Sequence, residues 1–281
     1  MSATIRPIHK VAMTLSVGYK LVSWTLISRC MSGNQLKLNH EKTELLNVMT
    51  PYQLRTYGLC SVVIDDVVVQ PSKSVRTLGV LFDEHMSMHP QVTQVVRTCN
   101  FHLRNIGKIR RYITTDACKA AVQSLVVSRL DYCCALLHGL PQSQLRRLQL
   151  LQNTAARIIT RTPYRDHITP VLADLHWLPC KLRIQFRILV YVFKCLHNEA
   201  PVYLDDLVGI YIPRRSLRSS SDTSSLVNRP SAKRVGERAF RHSAPALWNE
   251  LPTNIRDIPT PQAFKRALKT FYYRLHFYPT S

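Results

Sequence analysis

Val92, Val95, Val96, Cys99, Leu103, Ile106 and Ile109 recur at steps of three and four, the spacing that places side chains on one face of an α-helix. Opposite them, at the same steps, stand Arg97, Asn100, Arg104, Lys108 and Arg111. The pattern predicts a helix with one face to bury and one cationic stripe. Thr114 then offers an oxygen to cap a second helix, with Asp116 near its positive end, and the run up to Gly139 and Pro141 is nearly apolar all round. A helix of that kind belongs in the middle of a fold. A third helix over 142–161 buries Leu145, Leu148, Leu151, Ala155, Ile158 and Ile159 and stops before Pro163.

Upstream the period changes. A polar turn at 39–43 leads into an apolar strand, and Val62–Ile64 and Val67–Val69 flank Asp65 and Asp66 as two strands flank a tight turn. Residues 75–82 read as a third strand, with Gly79 where a neighbouring backbone can come close. Downstream, 168–178 reads as a short helix. Leu182, Phe186, Leu189, Phe193 and Leu196 mark a long core helix, and Asp205 and Asp206 fall in a short one after Pro201. Six serines between Ser216 and Ser225, with Arg214, Arg215 and Arg218, read as an exposed connector. Apolar residues then gather around Trp248, and Pro261 opens a last helix that buries Phe264, Ala267, Leu268, Phe271 and Leu275. Tyr272, Tyr273 and Phe277 suit packing against Trp248 better than stacking on bases.

The fold class this predicts is α+β, mainly α. An unassigned segment (1–26) precedes a strand and hairpin region (27–85), a basic three-helix bundle (86–163), a helical continuation (164–210), the connector (211–235) and a C-terminal module (236–281).

Charge then narrows the partner. The 281 residues carry a net charge of +21, spread along the whole length, and over 92–161 eleven Lys and Arg face Asp116 and Asp131 alone. Nucleic acid is the leading partner class, with an acidic protein or an anionic membrane surface behind it. The eight cysteines contain no CxxC pair and mostly sit at apolar helical positions, as reduced core thiols do. His85 and His89 share a helical step but have no third ligand near, so no metal site is expected. No run is long and apolar enough to span a bilayer, since Lys20 interrupts 11–27. Cytoplasm and nucleus are the expected compartments, with organelle targeting by the basic, acid-free residues 1–30 as a weaker alternative.

Several blocks in order then carry a resemblance: KLNHEKTELL, SVRTLGVLFD, HLRNIGKIRRYIT, SRLDYCCALLHGLP, LQNTAARIITR and DHITPVLADLHWLP, with RSLRSS and APALWNELP further on. Together they resemble the C-terminal part of the reverse transcriptase of non-LTR, LINE-like retrotransposons of the jockey group, over roughly residues 27–276. The resemblance implies that Lys42 belongs to the last palm motif, that Leu78, Gly79 and Val80 form the primer grip, and that the basic helices are the thumb. Arg97, Arg104, Lys108 and Arg111 are then backbone contacts, an assignment the helical stripe supports by itself.

The chain departs from that family where chemistry is concerned. Polymerisation in this class uses aspartates that hold two Mg²⁺, and in the family these precede the KTE turn. Here the first acidic residue is Glu41. Asp65 and Asp66 follow that turn, where a plain hairpin turn is the better reading, and Cys30 stands where the family shows tryptophan. The sequence therefore predicts a truncated copy that holds RNA–DNA hybrid or duplex without polymerising it. No catalytic residue, metal or cofactor is expected in this chain, whereas full-length relatives would use Mg²⁺. The alternative is a basic helical scaffold that binds an acidic protein or a membrane surface.

Overall fold

The computed structural model describes residues 6–7, 11–15, 33–34, 36–37, 43–49, 51–58, 61–64, 67–210, 225–227, 236 and 238–279. They fall into two units, Met1–Thr93 and Gln94–Ser281. In the first, strands pair two by two. β1 (Arg6–Pro7) runs parallel to β3 (Leu36–Lys37), and β2 (Val11–Leu15) runs parallel to β4 (Thr43–Asn47). After the short helix α1 (Pro51–Tyr57), β5 (Val62–Ile64) and β6 (Val67–Val69) pair antiparallel with Ile64 opposite Val67, the two strands expected around the Asp-Asp turn. Asp65, Asp66 and Lys42 themselves lie outside the described residues. Leu45, Leu46, Val75, Val80 and Val92 form the core of this unit.

Residues 75–82 are not one strand. β7 (Ser74–Thr77) and β8 (Val80–Asp83) form an antiparallel hairpin with Thr77 opposite Val80. Leu78 and Gly79 are its turn, at φ 48° and 81°, and positive φ at both central positions is what a type I′ turn requires. Alternation concealed the turn because an apolar leucine stands where asparagine or aspartate usually would. A leucine held there costs about 1 kcal/mol relative to a relaxed backbone. Gly79 serves the turn rather than a close approach. The Asp83 carboxylate then accepts from the N–H groups of Ser87 (3.0 Å) and Met88 (2.9 Å), and Gln91 Oε1 accepts from Leu81 N–H (2.9 Å). These bonds lock the hairpin to the first turn of α2 (His89–Ile109).

The second unit is helical. α2 buries Cys99, Leu103 and Ile106, while Ile109 is half exposed. Thr114 caps α3 (Thr115–Val122) by accepting from Ala117 N–H at 3.2 Å, as its sequence predicts. The following run is not one helix: a π-helical turn (Gln123–Val127), α4 (Ser128–Asp131), a left-handed Cys133 (φ 51°) and a 3₁₀ turn (Cys134–Leu137) succeed one another. Nor does it sit in the middle. Ala117, Ala120 and Ser124 are exposed while Cys118, Val122 and Val126 are buried, so only one face of the run is covered.

The middle is taken by the long core helix, which follows α5 (Gln142–Thr160) and α6 (Ile168–Asp174) as α7 (Cys180–Leu196). Ile184, Ile188, Leu189, Val192 and Phe193 are almost wholly buried. After α8 (Val202–Asp205) come α9 (Phe240–Asn249), α10 (Thr253–Arg256) and α11 (Pro261–Phe277). Phe264 stacks on Phe193 at 4.5 Å between ring centroids and meets Trp248 at 5.7 Å.

On α11, Phe264, Leu268 and Tyr272 are buried, while Leu275, expected on the same face, is exposed. Tyr273 donates its hydroxyl to Ala173 O at 2.9 Å, and Phe277 packs with Val171 and Leu172 of α6. Tyr273 and Phe277 thus serve packing, on α6 rather than on Trp248. Among the described residues no helix is long and apolar enough to cross a membrane.

The cysteines separate by burial. Cys99, Cys118, Cys134, Cys180 and Cys195 are buried and Cys133 is exposed. Burial pushes the Cys99 thiol up to about 11 and that of Cys180 up to about 12. Cys195 rises to about 11 through burial and then through the Asp205 carboxylate beside it. A raised pKa leaves little thiolate at pH 8, and the thiolate is the nucleophile. A brief iodoacetamide pulse at that pH should therefore modify Cys133 and spare Cys99, Cys180 and Cys195 until urea unfolds the chain. Peptide mapping showing Cys180 labelled as fast as Cys133 would contradict this burial.

Candidate nucleic-acid interface

The cationic stripe is built on the second unit. Arg97, Arg104 and Lys108 are exposed on one side of α2, at i, i+7 and i+11, and span about 16 Å at a rise of roughly 1.5 Å per residue. Phe101 lies between them on the same face and is 55% exposed. Among the described residues no carboxylate pairs with these three cations or with Arg111. Arg111 differs from the expected stripe because α2 ends at Ile109. It sits in the turn that follows, where its guanidinium lies 4.6 Å from the centroid of the Tyr112 ring.

The stripe is held in place from behind. The Cys99 thiol donates to Val126 O in the π-helical turn, at 3.9 Å, an acceptor that wide turn leaves accessible. Arg110 does more. Its guanidinium is buried and donates to Ile158 O (2.9 Å), Ile159 O (2.9 Å), Ile113 O (3.0 Å) and Thr115 Oγ1 (3.1 Å). Two of these acceptors are last-turn carbonyls of α5, which lack partners within their own helix. A cation is favourable there because the C-terminal end of a helix is negative. Arg161 returns a bond from its Nη2 to Arg110 O at 3.2 Å.

Reading the repeat to its end predicts this residue: the steps Cys99, Leu103, Ile106 continue to Arg110 as readily as to Ile109. Arg110 belongs to neither the apolar face nor the cationic stripe expected from the sequence.

Further polar ties fix the rest of the scaffold. Arg183 grips Asp131 by two nitrogens, Nε to Oδ1 at 3.0 Å and Nη2 to Oδ2 at 2.6 Å, in the bidentate form that gives such pairs their specificity. Gln152 is buried, donating to Leu178 O at 2.9 Å, while Gln149 Oε1 accepts from Cys180 N–H at 2.9 Å. These two bonds join α5 to the start of α7. Arg157 of α5 donates to Pro163 O and, at 2.7 Å, to Asp166 O, shaping the loop after that helix.

The other expected site residues belong to the first unit or lie outside the described residues. Leu78 and Gly79 form the hairpin tip of the first unit, with Leu78 85% exposed and Val80 buried beneath it. Arg214, Arg215 and Arg218 are outside the described residues. His85 and His89 are both exposed, and no group of three metal-ligating side chains is found among the described residues. The arrangement on α2 offers separated donors with hydrophobic anchorage behind them, which suits a long anion with charges at intervals. No family model, no curated protein and no solved structure matches the chain.

Proposed function

We propose that this chain is the nucleic-acid-holding C-terminal part of a LINE-like reverse transcriptase and that it grips an RNA–DNA hybrid or duplex by its phosphates. The observation that carries this reading is the set of exposed Arg97, Arg104 and Lys108 on one face of α2 with Arg111 at its end, free of described carboxylates. Long flexible cations on an exposed helix face contact backbone rather than base edges, so they give affinity without sequence readout. The ordered motifs from KLNHEKTELL to APALWNELP support the family reading by their resemblance. In this reading Lys42 is the palm lysine, Leu78, Gly79 and Val80 are the primer grip, and the protein works where nucleic acid is, in cytoplasm or nucleus.

The chain binds but does not polymerise. Within these 281 residues no aspartate precedes the KTE turn, so this chain by itself offers no carboxylates in the family's order to hold two metal ions. Purified protein given template, primer, nucleotides and Mg²⁺ or Mn²⁺ should bind the hybrid and extend nothing. Extension that disappears in an Asp65→Asn, Asp66→Asn variant would show instead that this pair holds metal. Binding should be nearly equal across sequences, and poly-glutamate or anionic vesicles should compete poorly at equal charge. Preferential binding to either would favour a scaffold that docks on acidic proteins or membranes.

A further inference from the structure

Two tyrosines stand out at the ends of the helices that Arg110 joins. Tyr112, just past α2, is 72% exposed, and Tyr164, in the loop after α5, is 89% exposed. An arginine braces each ring from one side: the guanidinium carbon of Arg111 lies 4.6 Å from the Tyr112 centroid, and that of Arg157 lies 5.5 Å from the Tyr164 centroid.

Neither brace is loose. Arg157 is held by Pro163 O and Asp166 O, the loop residues flanking Tyr164. The Arg111 turn is tied down by Arg110 to Ile158 O and Ile159 O, and by Arg161 to Arg110 O. Arg161 and Arg165 are also exposed here. Each ring is thus held largely in water on an anchored backbone, where a planar partner can stack on it.

We propose that Tyr112 and Tyr164 are stacking platforms for unpaired bases, so that the ligand of this surface is a duplex with a single-stranded extension. The proposal rests on the nucleic-acid reading above and names the substrate form. A blunt duplex hides its base faces in its own stack, so it satisfies the cations and leaves the rings idle. An unpaired base offers a π-face, and a guanidinium already on the far side of the tyrosine adds attraction without further ordering. Because every base has such a face, the preference is for strand form and not for sequence.

The test is fluorescence anisotropy at one fixed salt concentration with a blunt RNA–DNA hybrid and with the same hybrid carrying a short unpaired tail. Wild type should bind the tailed hybrid more tightly by about tenfold for each ring that stacks. The Tyr112→Leu, Tyr164→Leu variant should bind both hybrids alike, with the blunt affinity and its salt slope unchanged. A Tyr112→Phe, Tyr164→Phe variant should restore the difference, because it keeps the ring and loses only the hydroxyl. Equal binding of the two hybrids by wild type overturns the platforms while leaving phosphate gripping intact, as does a tail preference that survives in the Leu variant. Failure to bind either hybrid overturns both readings.

Discussion

Replacing Arg110 by methionine should cost the second unit about 3 kcal/mol, within the range seen when one member of a buried charged network is removed. Methionine keeps the unbranched stem and much of its packing. It donates nothing, so Ile158 O and Ile159 O lose the fork that reaches them at 2.9 Å each, and hydrogen bonds from a charged donor are worth about 1.5–3 kcal/mol each. The loss also removes a positive charge from the negative end of α5. With an m-value of about 2 kcal/mol/M, the urea midpoint read from tryptophan fluorescence should fall by about 1.5 M at unchanged slope. Arg111→Met, one residue along and exposed, should shift it by less than about 0.5 kcal/mol. Equal small shifts for the two variants would mean that Arg110 does not hold the helix ends together.

That contrast between neighbouring arginines shows where the sequence was readable. Thr114 capping α3, the paired strands Val62–Ile64 and Val67–Val69, the core helix Cys180–Leu196 and the buried Trp248 all follow from local patterns. Each needs only a period or a capping residue, which a few neighbouring positions specify. The hairpin at Leu78 and Gly79 was hidden because its strained residue is apolar. The π-helical turn and the left-handed Cys133 were hidden because breaks of this kind depend on what the helix packs against, and nothing in SLVVSRLDYCC announces them.

The site divides in the same way. Arg97, Arg104 and Lys108 share a face because the helical repeat puts them there. The helix repeat can bring Arg110 to the buried face, but the α5 carbonyls it reaches and the carboxylate Arg183 reaches lie 48 to 52 residues away, which no local period specifies. Type was a poor guide to role throughout. One arginine of the KIRRY run is core, its neighbour is surface, and a tyrosine that resembles loop filler is braced for contact.

If the α2 stripe carries nucleic-acid binding through phosphates, that binding weakens with salt in proportion to the contacts made, and a salt titration reads it. Wild type and an Arg97→Gln, Arg104→Gln, Lys108→Gln, Arg111→Gln variant would be titrated side by side on duplex DNA and on RNA–DNA hybrid. Each lost phosphate contact makes the log affinity against log salt slope shallower by about 0.9 on duplex DNA. Four lost contacts therefore flatten it by about 3.6, and from roughly 50 to 200 mM salt wild type should lose about a hundredfold more affinity than the variant. That difference is expected on every sequence tried. Equal affinities and equal slopes for the two proteins would contradict it and place binding elsewhere, beginning with Arg214, Arg215 and Arg218.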